Sequence, residues 1–215
     1  MTDLAVLRFA DRRVPAGLAG AAVLDAVTTA DADDAVDAAT AARVAVLGDD
    51  ADLAAVLTRL LRTERLDVEV AYLPPRRSRA ARIHRLPTGR RAVRAALGGT
   101  ASRVPLIRDD AGHALVGAAL WAGVAPEPLH GEAVVDDTVL FDGDVAGVVV
   151  EPTGALPGLR AAVTTGRWRP RRWVAGRAAQ LGSPGATVVR DGRPGARAVR
   201  RSTFYRHVQG WLAVR

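Results

Sequence analysis

Three carboxylates within four residues, Asp49, Asp50 and Asp52, follow an apolar run and one glycine in VAVLGDDADLAAVLTRLL, Val44 to Leu61. A parallel strand that ends at a glycine and turns at once into a helix aims backbone N–H groups at an anion, commonly a phosphate. Such a loop needs small residues, because a Cβ obstructs the approach of amides to phosphate oxygens. Carboxylates here suit two other roles. They cap the helix by accepting its orphan N–H groups, or they hold a divalent metal beside a nucleotide. Spacing reveals no second ligand cluster for the metal.

Other chemistry-bearing residues fall into clusters. Arg76, Arg77, Arg79 and Arg82, with Arg85, offer bulk positive charge in and after PPRRSRAAR. GRWRPRRWVAGR, Gly166 to Arg177, interleaves Trp168 and Trp173 with five arginines. That mix suits a membrane interface, with rings at headgroup depth and cations on phosphate, or a solvated hairpin with one Trp packed inward. Asp142 and Asp144 flank a glycine, as in a metal-holding turn or a solvated β-turn. The four histidines, His84, His113, His130 and His207, show no H-E-x-x-H spacing, and no serine lies in a G-x-S-x-G elbow.

The elements that must position these groups follow from periodicity. LAVLRF (4–9) predicts a strand, and the stretch with Pro15, Gly17 and Gly20 predicts turns. Thr28 to Ala42 is Ala-rich with early acidic residues, which suits a helix. RVAVL (43–47) predicts a buried strand. Residues 51–62 place Leu53, Val56, Leu57, Leu60 and Leu61 on one helical face. LDVEVAY (66–72) alternates as a strand, the basic stretch after it predicts a loop, and a helix is expected at about 88–97. This alternation predicts a parallel α/β layer. Beyond Gly98 and Gly99, short β-type runs separated by Gly, Pro and Asp predict an antiparallel sandwich or barrel, with one helix at 156–164. The expected domains are 1–100, α/β, and 101–215, a β-rich sandwich.

Composition narrows the classes. The chain has 215 residues, 49% hydrophobic and 25% charged, enough to bury a core. No stretch is apolar enough to span a bilayer, and no secretory signal is expected, so a cytoplasmic location fits. Cysteine is absent, which excludes disulfides and thiolate chemistry. All 30 basic residues are arginine, and net charge is +7. The missing lysines fit a GC-rich coding sequence, while the positive excess attracts nucleotides, nucleic acid or anionic lipid.

The order of these landmarks resembles the diacylglycerol kinase and lipid kinase family, which shares its fold with NAD kinases. That family carries GGDGT at the opening of a helix, a P-x-G-T-x-N-D-x-A-R loop before G-L-P, an L-D-D-G segment and a closing D-G-E run. Here Gly48-Asp49-Asp50-Ala51-Asp52 stands at the first and Pro75 to Arg82, with Arg85-Leu86-Pro87, at the second. Thr138 to Pro152 is similar to the third, LRAAVTTGRW to the family's following short helix, and Ala186 to Arg215 to the close. The resemblance implies nucleotide-binding positions at Gly48 and Asp50, supplemented by Arg76, Arg77, Arg79 and Arg82. It implies a catalytic aspartate at Asp191, a metal ligand at Asp142, and ATP with Mg as cofactors where kinase chemistry holds.

The departures matter as much. Asp49 and Ala51 replace glycines, Arg193 replaces the closing glutamate, and the Gly-Thr and Asn-Asp of the second loop are gone. Each extra carboxylate opposes a bound polyphosphate by roughly 1–4 kcal/mol. Phosphoryl transfer depends on positioning and charge neutralisation, so this pattern predicts a catalytically impaired protein. It would bind an anionic ligand or lipid surface in a cleft between the two domains, peripheral to the inner membrane face. The alternatives are an active lipid kinase with a rebuilt phosphate loop and a non-enzymatic basic module for a protein or nucleic acid. An exposed edge strand in the β-rich domain offers a route to a homodimer.

Overall fold

β-Branched and small apolar residues in Arg43–Leu47 make a strand buried along its whole length, and the rest of the first unit assembles on it. A computed structural model describes residues 3–26, 28–75, 78–165 and 170–215. It divides the chain into two units, Met1–Val104 with Gln209–Arg215, and Pro105–Val208.

The first unit runs β1 (Leu4–Phe9), β2 (Ala22–Ala26), α1 (Ala32–Ala38), β3 (Arg43–Leu47), α2 (Asp50–Arg62), β4 (Glu69–Tyr72), α3 (Arg79–Ile83), α4 (Arg90–Gly98) and β5 (Ala101–Val104). A C-terminal strand, Trp211–Val214, completes a six-stranded sheet in the order β2-β1-β3-β4-C-terminal strand-β5. Every pairing is parallel except that of β5 with the C-terminal strand. Val6, Ala45, Leu47, Ala71 and Val214 pack with Leu18 and with Ala92, Ala95 and Ala96 of α4. The apolar stripe of α2 is buried at Leu53, Val56, Leu57 and Leu60, as its spacing predicts.

The second unit is one antiparallel sheet of eleven strands: β6 (Ile107–Asp109), β7 (Ala114–Leu115), β8 (Ala119–Gly123), β9 (Leu129–Val135), β10 (Thr138–Val145), β11 (Val148–Pro152), β12 (Leu159–Val163), β13 (Val174–Gly176), β14 (Ala178–Arg190), β15 (Arg193–Pro194) and β16 (Val199–Arg206). Strand β14 pairs with β16 on one side and, on the other, with β9 over Ala179–Gly182 and with β8 over Ala186–Arg190. Changing partner midway lets the sheet fold over a single core that includes Trp121, Val135, Val150, Leu159, Val188 and Phe204.

The structure corrects the sequence reading in several places. The helix expected at 156–164 is strand β12, held between β11 and β13. Leu159, Ala161 and Ala162 are buried there, and cross-strand pairing overrides the helix preference of LRAAV. The basic stretch after β4 contains helix α3, and the turn-rich stretch after β1 contains edge strand β2. The division between the two units falls at 104/105. The last seven residues return to the first unit, because the C-terminal strand pairs with β4 and β5.

Arg43 joins two elements of the first unit. Only 5% exposed, it pairs with Glu69 at 2.6 Å and donates to the carbonyls of Ala95, Ala96 and Gly99 at the end of α4. A cation at a helix C-terminus meets both the orphan carbonyls and the negative end of the dipole. Arg43→Ala is expected to cost about 2 kcal/mol in urea denaturation, since it strips a half-buried charge pair and three carbonyl contacts together. A loss below about 1 kcal/mol would show that these contacts carry little.

Candidate functional site

The turn after β3 answers the question that its carboxylates raise. Asp49 is the N-cap of α2, accepting from the Asp52 amide at 3.1 Å, and Asp52 accepts from the Asp49 amide at 2.8 Å. This is a reciprocal capping box with aspartate at both ends. Asp52 is folded back over Gly48: a Cβ built on that glycine would lie 2.6 Å from Oδ2 and 2.7 Å from Cβ of Asp52. The small residue therefore makes room for the chain's own carboxylate. The Asp52 carboxylate occupies the space over this glycine, and Asp49 brings a second carboxylate to the same turn.

Asp50, one residue on, reaches a different helix. Its Oδ1 accepts from the Tyr72 hydroxyl at 2.7 Å and the Ser78 hydroxyl at 2.5 Å. Its Oδ2 accepts from the amides of Arg79 and Ala80 at 3.0 and 3.1 Å. Ser78 in turn caps α3 by accepting from the Ala81 amide at 2.8 Å. The first three amides of α3 are thus satisfied by a local hydroxyl and by a carboxylate 29 and 30 residues earlier in the chain. Burial, then the neighbouring Asp50 charge, push the Tyr72 hydroxyl well above the ordinary tyrosine range, so it stays a proton donor.

Beside α3 lies a groove of about 710 Å³, lined in part by Pro74, Pro75, Arg79, Arg82, Leu86 and Thr88. Arg79, Arg82 and Arg85 are exposed; the expected contributions of Arg76 and Arg77 lie outside the described residues. The buried face of α3 places His84 edge-on to Trp211, with ring centroids 5.4 Å apart. That geometry makes His84 a packing residue of the first unit.

Within the second unit, Asp191 and Gly192 form the turn between β14 and β15, both with positive φ, as a tight hairpin requires. The Asp191 carboxylate accepts from the amides of Val116, Gly117 and Ala118 at 3.1, 2.7 and 3.0 Å. It closes the turn before β8. Asp142 sits inside strand β10, opposite Glu132, rather than in a turn; Asp144 pairs with His130 at 2.8 Å. The residues between Val135 and Thr138 turn this hairpin, so the Asp-Gly-Asp sequence is free to extend. Among the described residues no three His, Asp or Glu side chains gather in a way that could hold a metal ion. Trp173 of the second basic cluster lies under the Arg160 guanidinium at 4.1 Å, and residues 166–169 of that cluster lie outside the described residues. No helix among the described residues is long and apolar enough to cross a membrane.

Sequence reasoning identified the carboxylates of α2 but not their partners. Tyr72 and Ser78 carried no sign of a link to Asp50, although Ser78 ahead of Arg79-Ala80-Ala81 is an N-cap signal in itself. Asp52 provides a test of the turn. Burial raises its carboxyl above the ordinary range, the nearby Asp49 charge adds to this, and the Asp49 amide and Arg12 oppose it. A raised folded-state value contributes stability that is complete below the unfolded value of about 3.9 and is lost as pH rises through the folded value. Asp52→Asn keeps an oxygen acceptor for the Asp49 amide and removes the titration. The stability advantage of the parent over this variant, from urea denaturation, should therefore shrink between acid and neutral pH. An advantage that is constant or grows toward neutral pH would contradict this picture.

No protein-family model and no curated protein sequence matches the chain. Solved structures do. A diacylglycerol kinase from Bacillus anthracis str. Sterne aligns with a TM-score of 0.71 at 12% identity, over 99% of this chain and 96% of that one. An NAD kinase from Archaeoglobus fulgidus, solved in complex with ATP, aligns with a TM-score of 0.66 at 12% identity, over 99% and 93%. A yeast NADH kinase complexed with NADH gives 0.58 at 12% identity, over 99% and 83%. Likeness at such identity speaks for architecture, not for activity. The chain has the two-domain fold of diacylglycerol kinases and NAD kinases.

Proposed function

We propose that this protein keeps the lipid-kinase architecture without ATP-dependent phosphoryl transfer, and binds a phosphate-bearing ligand in the groove beside α3. One observation carries the reading. At the start of α2 the Asp49 and Asp52 amides donate to the carboxylates of Asp52 and Asp49, and at the start of α3 the Arg79 and Ala80 amides donate to Asp50. Helix N-termini attract anions because their N–H groups lack partners. At α2 and α3 an internal anion is already in place, and a triphosphate would have to displace it.

Two further features support the loss of catalysis. Asp191 stands where the resemblance implies a residue that assists hydroxyl attack, but its carboxylate holds three amides of the turn before β8. Asp142 has a glutamate opposite it and no ligand cluster around it among the described residues. The groove itself suits an anion with some apolar body. Pro74, Pro75, Ala81 and Leu86 give apolar wall, while Arg79 and Arg82 supply guanidinium groups able to bind phosphate oxygens in pairs.

The test has two arms. With ATP, magnesium and diacylglycerol vesicles, the purified protein should yield no lipid phosphorylation above a protein-free control; sustained turnover would refute the reading. In calorimetric titration with inorganic pyrophosphate, Arg79→Gln with Arg82→Gln should weaken binding about ten-fold or more, each charge being worth roughly 1 kcal/mol or above. Equal affinity in parent and double variant would remove the groove from the account.

A further inference from the structure

Charge is distributed very unevenly along the chain. From Pro152 to Arg215 the sequence carries thirteen arginines and a single side-chain carboxylate, Asp191; the other twenty-two carboxylates all precede it. Asp191 is engaged by three backbone amides. The later strands of the second unit, from β12 through β16, are therefore cationic; Arg160 and Arg190 pair with Glu151 and Asp109 of earlier strands.

One edge of that unit adds exposed apolar groups. Leu156 and Val208, 73% and 97% exposed, are the two most exposed large apolar side chains among the described residues. They belong to separate segments that are tied together two residues away. Arg206 donates to the Pro157 carbonyl at 2.9 Å, and its side-chain stem lies where a Cβ on Gly158 would have to go, 2.9–3.1 Å away. The Arg206 amide donates to the Arg177 carbonyl at 2.8 Å, which brings exposed Arg177 to the same edge. Half-buried Trp173 and Arg160 stack one strand position further along. A carboxylate neighbouring this edge, Asp136, is turned onto the amides of Arg177 and Ala178.

We infer that this edge, with Leu156 and Val208 at its tip and Arg177 and Arg206 behind them, docks the protein on an anionic lipid bilayer. Apolar side chains at a protruding edge gain by entering the acyl boundary, and arginines beside them gain from anionic headgroups. A second copy of the chain is a poorer occupant, since it would bring its own Arg177 and Arg206 against these. Nucleic acid would use the arginines but leaves Leu156 and Val208 without a role. None of these residues lines the groove beside α3, so the two readings fail independently.

Sedimentation of the full chain with vesicles tests the inference. Phosphatidylcholine vesicles containing phosphatidylglycerol should bind it, and phosphatidylcholine alone should bind far less. The pair Leu156→Ser and Val208→Ser should reduce partitioning about ten-fold or more, with an unchanged melting temperature because both side chains are exposed. Arg177→Gln should reduce it about five-fold. Val208→Trp should tighten binding, which keeps the idea testable should the serine pair disturb folding. The inference is overturned if the parent ignores anionic vesicles, or if the serine pair binds as well as the parent and Val208→Trp gains nothing. It is also overturned if duplex DNA is bound in preference to vesicles, or if the serine pair instead abolishes a dimer.

Discussion

The carboxylate of Asp50 is the contact on which the first unit's candidate site depends. With four donors from two other elements, it fixes the start of α2 against the end of β4 and the start of α3. Hydrogen bonds to a charged acceptor are individually stronger than neutral ones, and here they are mutually supporting. The groove beside α3 includes Ser78 and Arg79 of this contact, while the turn at Gly48 is set by the capping box of Asp49 and Asp52. At α3 the amides of Arg79 and Ala80 already face an anion.

This gives the retained glycine a physical meaning different from the one its position suggests. In a phosphate loop, glycine leaves space for a ligand to approach the backbone. Gly48 leaves space for Asp52, whose carboxylate closes a capping box on Asp49. The turn after β3 contains its own anion. Asp191 shows the same trend in the second unit, where a carboxylate positioned for chemistry by resemblance instead closes the turn before β8. Strand order and apolar cores do not depend on the turns at strand ends, so one architecture accommodates different turns.

Much of this fold was legible from local pattern. The run RVAVL followed by the periodic leucines of α2 reads as buried strand and amphipathic helix with no outside help, and the parallel layer follows from alternation. What was not legible depended on partners distant in sequence. LRAAV in β12 has helix-forming composition, yet β11 and β13 on either side make it a strand. Gly182-Ser183-Pro184-Gly185 looks like a chain reversal, but it lies inside the long strand β14, where a register shift absorbs it. Trp211–Val214 looks like one more sandwich strand and instead joins the parallel sheet. At the candidate site, the carboxylates were visible, and capping by Asp49 was one of the roles read for them. The Tyr72 and Ser78 contacts were not visible, since nothing in sequence links residue 50 to residues 72 and 78.

If the mutual capping of Asp49 and Asp52 keeps an external phosphate from the start of α2, amide chemical shifts followed by NMR during titration with ATP and magnesium will show it residue by residue. The Asp49, Asp50, Ala51 and Asp52 resonances should then stay in place while added nucleotide reaches large excess. Saturable displacement of those four resonances, with the capping bonds of Asp49 and Asp52 broken, would contradict it.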